Sequence, residues 1–271
     1  QLLTHTSGVA DVYSLKRYSE TGGRGGSFAD VIRDLRTMDL THQPGSGYAY
    51  SNGGYSLLAA IIEQASGMSY ADYLTTRIFE PLGMDRSTFV NPLPENRIGD
   101  AAWGHGRGGN PPEEERRWLS HTAAGGLWTT AADYAAFVAE IQRAAAGRSE
   151  RVLDRDLARS MISPQDSDRY GLGVFLHQRD GRKQYFSHIG DGLGFVAGFA
   201  AHRENGSAAV VSSNGVNGIH LVREVMAAVA LVYDWPEFLP PERTMTPLSE
   251  DQIGRLLGRY RYGFDEVIVL E

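Results

Sequence analysis

A change of pattern near residue 170 constrains this chain more than any other feature. Gly171 to Leu176, Gln184 to His188, Gly194 to Ala201 and Ser207 to Ser213 are short β-type runs. Arg179-Asp180-Gly181-Arg182 and Arg203-Glu204-Asn205-Gly206 separate them as turn-like breaks, so the segment reads as an antiparallel meander. Gly218 to Tyr233 then gives an amphipathic helix through Ile219, Val222, Met226 and Val229, which can pack on that sheet. A sheet of this kind, preceded by helices and closed by one, is an α+β arrangement.

The residues before the meander read as helices joined by loops. Gly22-Gly23-Arg24-Gly25-Gly26 is a break, and Phe28 to Met38 a short helix after it. The turn cluster Gln43-Pro44-Gly45-Ser46-Gly47 leads into Tyr48-Ala49-Tyr50-Ser51-Asn52. From about Tyr55 to Ser66, Leu57, Leu58, Ile61, Ile62 and Ala65 keep one-face helical spacing, with Gly67 as the stop. Ser69 and Asp72 cap the next helix, which Pro81 and Gly83 end. Pro92 to Glu115 reads as irregular surface, Thr130 and Asp133 as a capping box, and Asp154 to Ile162 as helical. Pro236 to Pro247 holds four prolines and reads as a linker. After it, Leu248 to Glu271 begins a separate short helix and strand.

Charge and composition exclude several functions. The net charge of −7 gives no basic face for a phosphate backbone, so a nucleic-acid partner is not expected. With no cysteine there is neither a disulfide framework nor a thiolate site. The scattered histidines include no His-Glu-x-x-His, so no metal and no cofactor are expected. No apolar run reaches the roughly eighteen residues that would span a bilayer. Gly190-Asp191-Gly192-Leu193-Gly194 fits neither the dinucleotide nor the P-loop spacing and does not open a helix.

Three stretches carry the chemistry. Tyr50-Ser51-Asn52 stands just before a helix, where its side chains can face a cleft. His188-Ile189-Gly190 ends a strand, and Asp191-Gly192-Leu193-Gly194 follows. Glycines there let a substrate lie against the backbone of an edge strand. Gly125-Gly126-Leu127-Trp128-Thr129-Thr130 is a tight turn. Taken singly, Tyr50 reads as a half-buried tyrosine at a strand end, Asn52 as a helix N-cap and His188 as a structural histidine.

Read in order, the motifs change that balance. Leu2-Leu3-Thr4-His5-Thr6-Ser7-Gly8, Pro44-Gly45 through Tyr50-Ser51-Asn52, Gly53-Gly54-Tyr55, Pro81-Leu82-Gly83-Met84, Ala124-Gly125-Gly126-Leu127 and His188-x-Gly190 with Gly194-Phe195 succeed one another across nearly 200 residues. The chain resembles the serine β-lactamase-related hydrolases: class C β-lactamases, D-aminopeptidases, D-alanyl-D-alanine carboxypeptidases and family VIII carboxylesterases. The resemblance implies a β-lactamase/transpeptidase-like fold, with an antiparallel sheet flanked by helices and a mostly helical subdomain. It implies a catalytic domain over residues 1–235, a linker over 236–247 and the start of a small β domain over 248–271. It also implies bacterial origin and a periplasmic or secreted location.

In that family a Ser-x-x-Lys motif supplies the nucleophile, a Tyr-x-Asn or Ser-x-Asn the second element, and a Lys-Thr-Gly or His-x-Gly the third. Tyr50 and Asn52 match the second element, His188 and Gly190 the third. No serine of this chain has lysine three positions on, so the first element is expected in a segment upstream of Gln1. The resemblance then gives Tyr50 proton transfer with the absent lysine. Asn52 would orient the substrate amide or that lysine, and His188 would place the substrate or polarise the site. The Asp191 N–H becomes an oxyanion donor beside Gly190 and Gly192. A phenol near pKa 10 needs a shift of about 3 units for that role, or about 4 kcal/mol. His5 is expected to fix the loop beneath the site. Histidine in place of lysine at position 188 leans toward esterase or peptidase work. The expected substrate is a small molecule or peptide bearing an ester, amide or β-lactam bond. A non-catalytic substrate- or partner-binding module on the same fold is the competing reading. Losing a nucleophile costs about 10⁶-fold in a serine protease, so these residues alone are expected to be inactive.

Overall fold

In the computed structural model, residues 1–12, 27–106, 109, 122–179, 182–192, 194–240, 247–262 and 266–270 are described. The Gly22–Gly26 break, residues 107–108 and 110–115 of the Pro92–Glu115 stretch and residues 241–246 of the proline-rich stretch lie outside them. The chain divides into two compact units, Gln1–Phe238 and Leu239–Glu271.

The first unit begins with helices. Helix α1 (Phe28–Leu35) opens with a capping box, in which Ser27 accepts from the Asp30 N–H and the Asp30 carboxylate accepts from the Ser27 N–H. It ends before Met38, and it buries Val31 and Leu35. Helix α2 (Asn52–Ser66) is capped by Ser51, whose hydroxyl accepts from the Gly54 N–H. It therefore starts three residues earlier than the apolar spacing indicates, and Ser51 holds the cap position rather than Asn52. Gly67, at φ +71°, ends it. Helix α3 (Tyr70–Leu74) passes through a π-helical turn, Thr75–Phe79, into Glu80–Leu82, and Gly83 closes it in the left-handed region. The stretch read as irregular contains one helical turn, α4 (Glu95–Ile98).

A short α5 (Thr122–Gly125) leads to α6 (Ala131–Ala145). Thr130 caps α6 by accepting from the Asp133 N–H, but the Asp133 carboxylate turns away to accept from the Arg86 N–H and the Ser87 hydroxyl. The cap thus also ties the loop after α3 to α6. Helix α7 (Arg155–Met161), capped by Asp154, follows.

The meander comes next as β1 (Phe175–Arg179), β2 (Arg182–Gly192), β3 (Phe195–His202) and β4 (Ala208–Ser213), paired antiparallel in that order. Helix α8 (Gly218–Tyr233) closes it. Val138, Ile141 and Ala144 of α6 meet Leu176, Phe186, Phe199 and Ala201 on one face of the sheet. On the other face Val222, Met226 and Ala230 of α8 are buried, and a Cβ on Gly198 of β3 would come 3.2 Å from Val222. The sheet is therefore a central layer between helices, the α+β, β-lactamase/transpeptidase-like architecture expected. Beyond α8 a single 3-10 turn, Pro236–Phe238, sets Phe238 against Tyr185.

The largest departures from the sequence reading are at the start of β1 and the end of β2. Strand β1 begins at Phe175 rather than Gly171, because Gly171 is tucked against the Met161 carbonyl, where its Cβ would stand 2.2 Å away. Strand β2 continues past His188 to Gly192, since Asp191 pairs with Val196 and Gly192 with Phe195. Local propensity disfavours glycine in a strand, and the ladder to β3 overrides it.

The second unit contains α9 (Glu250–Leu256), with a Ser249–Gln252 capping box, and a hairpin of β5 (Gly258–Tyr262) and β6 (Glu266–Leu270).

Candidate active site

The site is built from the N-terminal loop, the start of α2 and the far half of β2. Pairing of β1 with β2 ends at Phe175 opposite Ser187, whereas pairing with β3 runs on to Gly192. Residues His188 to Gly192 are thus laddered to β3 on one side only. Among the described residues no strand covers their other side, so β2 becomes an edge where the motif begins. An edge of this kind offers unpaired N–H and C=O groups to an extended ligand.

Glycine at 190 and 192 keeps that edge bare. Among the described residues a Cβ at either position would meet nothing within 4 Å, so their packing does not demand glycine there. Gly194 is different. It sits at φ +84° with its would-be Cβ 2.7 Å from the His105 amide nitrogen, which pins the β2–β3 turn against the 103–105 loop. His105 also donates its N–H to the Asn214 carbonyl at 2.9 Å, and Asn214 Nδ2 donates to the Trp103 carbonyl at 3.0 Å.

Tyr50 stands opposite His188, with ring centroids 6.4 Å apart, and Phe175 lies 5.4 Å from the His188 ring on the other side. Burial pushes the His188 pKa down, so the imidazole is neutral near pH 7. It can therefore donate or accept a hydrogen bond but brings no positive charge. Tyr50 is 42% exposed. Asn52, at the first turn of α2, donates both its backbone N–H (2.8 Å) and its Nδ2 (3.2 Å) to Asp11 Oδ2. Asp11 thus fixes the rotamer of Asn52. A close backbone approach makes this possible: a Cβ on Gly53 would stand 2.2 Å from the Ala10 carbonyl oxygen, so only glycine lets the 10–11 segment lie against α2.

Beneath Tyr50 lies His5, 2% exposed, with its ring stacked at 4.0 Å and 30°. The Ser51 N–H donates to His5 Nδ1 at 3.0 Å, so Nδ1 carries a lone pair. The neutral ring then holds its proton on Nε2 and donates it to the Tyr170 hydroxyl at 3.1 Å. Tyr170 is hydrogen-bonded to Tyr55, whose hydroxyl donates to the Leu3 carbonyl at 3.0 Å. Burial, followed by the nearby His188, lowers the His5 pKa from 6.5 to about 4. Burial likewise holds the Tyr55 and Tyr170 phenols well above their ordinary range, so both stay protonated donors.

The structure brings Tyr50, Asn52, His188, Gly190, Asp191 and Gly192 to the start of α2 and the open length of β2. It adds Asp11 and Tyr170, which the sequence reading did not single out, and joins Tyr55 of the Gly53-Gly54-Tyr55 motif to Tyr170. Asp11 follows the Leu2–Gly8 motif closely enough to have been suspected; Tyr170 has no local signal. Among the described residues no group of three or more His, Asp or Glu side chains could hold a metal ion, and no helix is long and apolar enough to cross a membrane.

Comparison with known proteins agrees with this architecture. The family model described as Beta-lactamase matches residues 1–234. Penicillin-binding protein 4* of Bacillus subtilis (strain 168) is 40% identical over 107 residues, 38% of this chain and 24% of that protein. The D-aminopeptidase of Brucella anthropi is 29% identical over 159 residues, 55% of this chain and 28% of its own. The matched stretches thus span about a quarter of each relative's length. The crystal structure of a penicillin binding protein from Bacillus halodurans shares the fold, with a TM-score of 0.70 at 23% identity over 84% of this chain and 71% of that one. With its family match running from residue 1 to residue 234, the chain belongs to the beta-lactamase family, whose members are serine hydrolases.

Proposed function

We propose that this chain carries the second and third catalytic elements of an acyl-serine hydrolase acting on an ester, amide or β-lactam bond. The observation that carries the proposal is the approach of Tyr50 to His188, 6.4 Å between rings, at the point where β2 loses its strand neighbour. A substrate laid along His188–Gly192 would have its carbonyl within reach of the Asp191 N–H as an oxyanion donor, with Gly190 and Gly192 leaving room for it. Tyr50 would move the proton between the nucleophile and the leaving group. Asn52, held by Asp11, would orient the substrate amide. His188, neutral, would hydrogen-bond the substrate rather than pair with a carboxylate, which favours ester or peptide bonds. The nucleophile would come from a Ser-x-x-Lys outside these residues, attack the carbonyl and leave an acyl-enzyme for water to hydrolyse.

The test is covalent labelling. This chain is expressed alone and with the coding sequence upstream of Gln1, and each form is treated with a fluorophosphonate and weighed intact. The expected result is one adduct on the longer form, abolished by changing its Ser-x-x-Lys serine to alanine, and slowed about 10²- to 10⁴-fold by Tyr50→Phe. No adduct on a folded longer form would leave a substrate- or partner-binding module in its place.

A further inference from the structure

We propose that His5 is a positioning residue for Tyr50, holding the phenol at the open edge of β2 through contacts with residues 49, 50 and 51. Its carbonyl accepts from the Ala49 N–H at 2.9 Å, its ring face stacks on Tyr50 at 4.0 Å, and its Nδ1 accepts from the Ser51 N–H at 3.0 Å. A histidine satisfied in a core needs one or two partners; this one grips a run of backbone through both main chain and side chain. The catalytic consequence rests on Tyr50 being the proton-transfer group, but the positioning does not.

The grip replaces what burial does elsewhere. Tyr50 is exposed enough that packing alone does not hold it, and the imidazole beneath supports its ring plane. The peptide after it is fixed independently, because the Ser51 hydroxyl donates to the Ala10 carbonyl at 3.1 Å and caps Gly54. His5 is itself held in a costly state. Its φ of +56° lies in the left-handed region, which a non-glycine residue seldom adopts. That conformation points its carbonyl and its ring at the same segment. Tyr170 holds Nε2, and Tyr48 and Tyr55 flank the ring at 5.8 and 5.1 Å.

The arrangement works only for the neutral ring. An imidazolium would set an Nδ1–H against the Ser51 N–H and break the tie to the tyrosine's own backbone. The titratable groups facing His5 are Tyr48, Tyr50, Tyr55, Tyr170, His188 and Asp11, with Asp11 alone favouring the charged form.

The experiment is NMR on this 271-residue chain, with Tyr50→Phe for assignment. In the unaltered protein the expected result is an unprotonated Nδ1 on His5 and proton–proton contacts between the Tyr50 and His188 rings. His5→Ala should lose those contacts while the circular dichroism stays unchanged, and His5→Asn, which keeps an acceptor at the Nδ1 place, should recover the Ser51 amide shift. Where His5→Ala does not fold, His5→Phe takes its place, keeping the volume but losing the acceptor; it too should lose the contacts. Retention of the Tyr50–His188 contacts in a folded His5→Ala or His5→Phe chain would overturn the proposal. On the longer chain, fluorophosphonate labelling should slow about 10²-fold in His5→Ala, with His5→Asn recovering most of the rate. If no form is labelled, the hydrolase reading fails and the NMR contacts still decide the positioning.

Discussion

The buried neutral state of His5 makes stability depend on pH in a calculable way. In the unfolded chain His5 takes up a proton near pH 6.5, while in the folded chain it does so only near pH 4. Between those values the unfolded state binds more protons, so stability falls as pH falls, and the loss is complete below about pH 4. At 1.36 kcal/mol per pH unit the full displacement is worth about 3 kcal/mol, of which about 2.5 kcal/mol is gone by pH 4.5. Domains of this size are stable by about 5–15 kcal/mol, so the change is large. Burial also lowers His188, which therefore titrates in the same window, while hydrogen bonds from Thr4 and Thr6 lower the Asp166 carboxyl and place its effect at more acid pH. A difference between two proteins removes them.

Urea unfolding at pH 7.5 and pH 4.5 should therefore be measured for the unaltered chain and for His5→Asn, followed by tryptophan fluorescence. The unaltered chain should lose about 2–3 kcal/mol more than the variant on acidification. Parallel losses in the two proteins would refute the reasoning, because they would mean that His5 is either solvated or already charged at pH 7.5.

Three further changes test the packing around the site. Gly53→Ala should destabilise by about 1–3 kcal/mol by melting temperature, since its Cβ would meet the Ala10 carbonyl oxygen at 2.2 Å. Gly190→Ala should leave the melting temperature unchanged or raise it by the equivalent of about 0.5–1 kcal/mol, while slowing labelling of the longer chain. Ser51→Ala removes the α2 cap and the bond to the Ala10 carbonyl together, and should cost about 1–2 kcal/mol in urea unfolding.

How much was legible follows from the range of the forces involved. Helix α8 could be bounded from sequence because its apolar face recurs with helical spacing between a glycine and a turn. The meander could be ordered because its turns are short and polar. Strand β2 could not be followed past His188, because the glycines after it carry no strand propensity and only the ladder to β3 extends them. Tyr50, Asn52 and His188 were named through the order of motifs, since the spacing of each alone has a plainer explanation. Asp11 and Tyr170 act through hydrogen bonds to Asn52 and His5 across long sequence separations; Asp11 at least stands just after the Leu2–Gly8 motif, whereas no local pattern announces Tyr170.

The glycines separate what the fold requires from what a ligand would require. At Gly53 and Gly194 the chain itself occupies the space where a side chain would go, so the fold explains the residue. At Gly190 and Gly192 nothing among the described residues occupies it, and the strand pays a propensity cost of about 0.5–1 kcal/mol for each glycine. On the proposed function, such residues on a bare edge, beside a neutral histidine and an exposed tyrosine, would leave room for a substrate against the backbone. Gly190→Ala separates the two kinds of demand: a fold requirement would appear as lost stability, and a ligand requirement as lost reaction with stability intact.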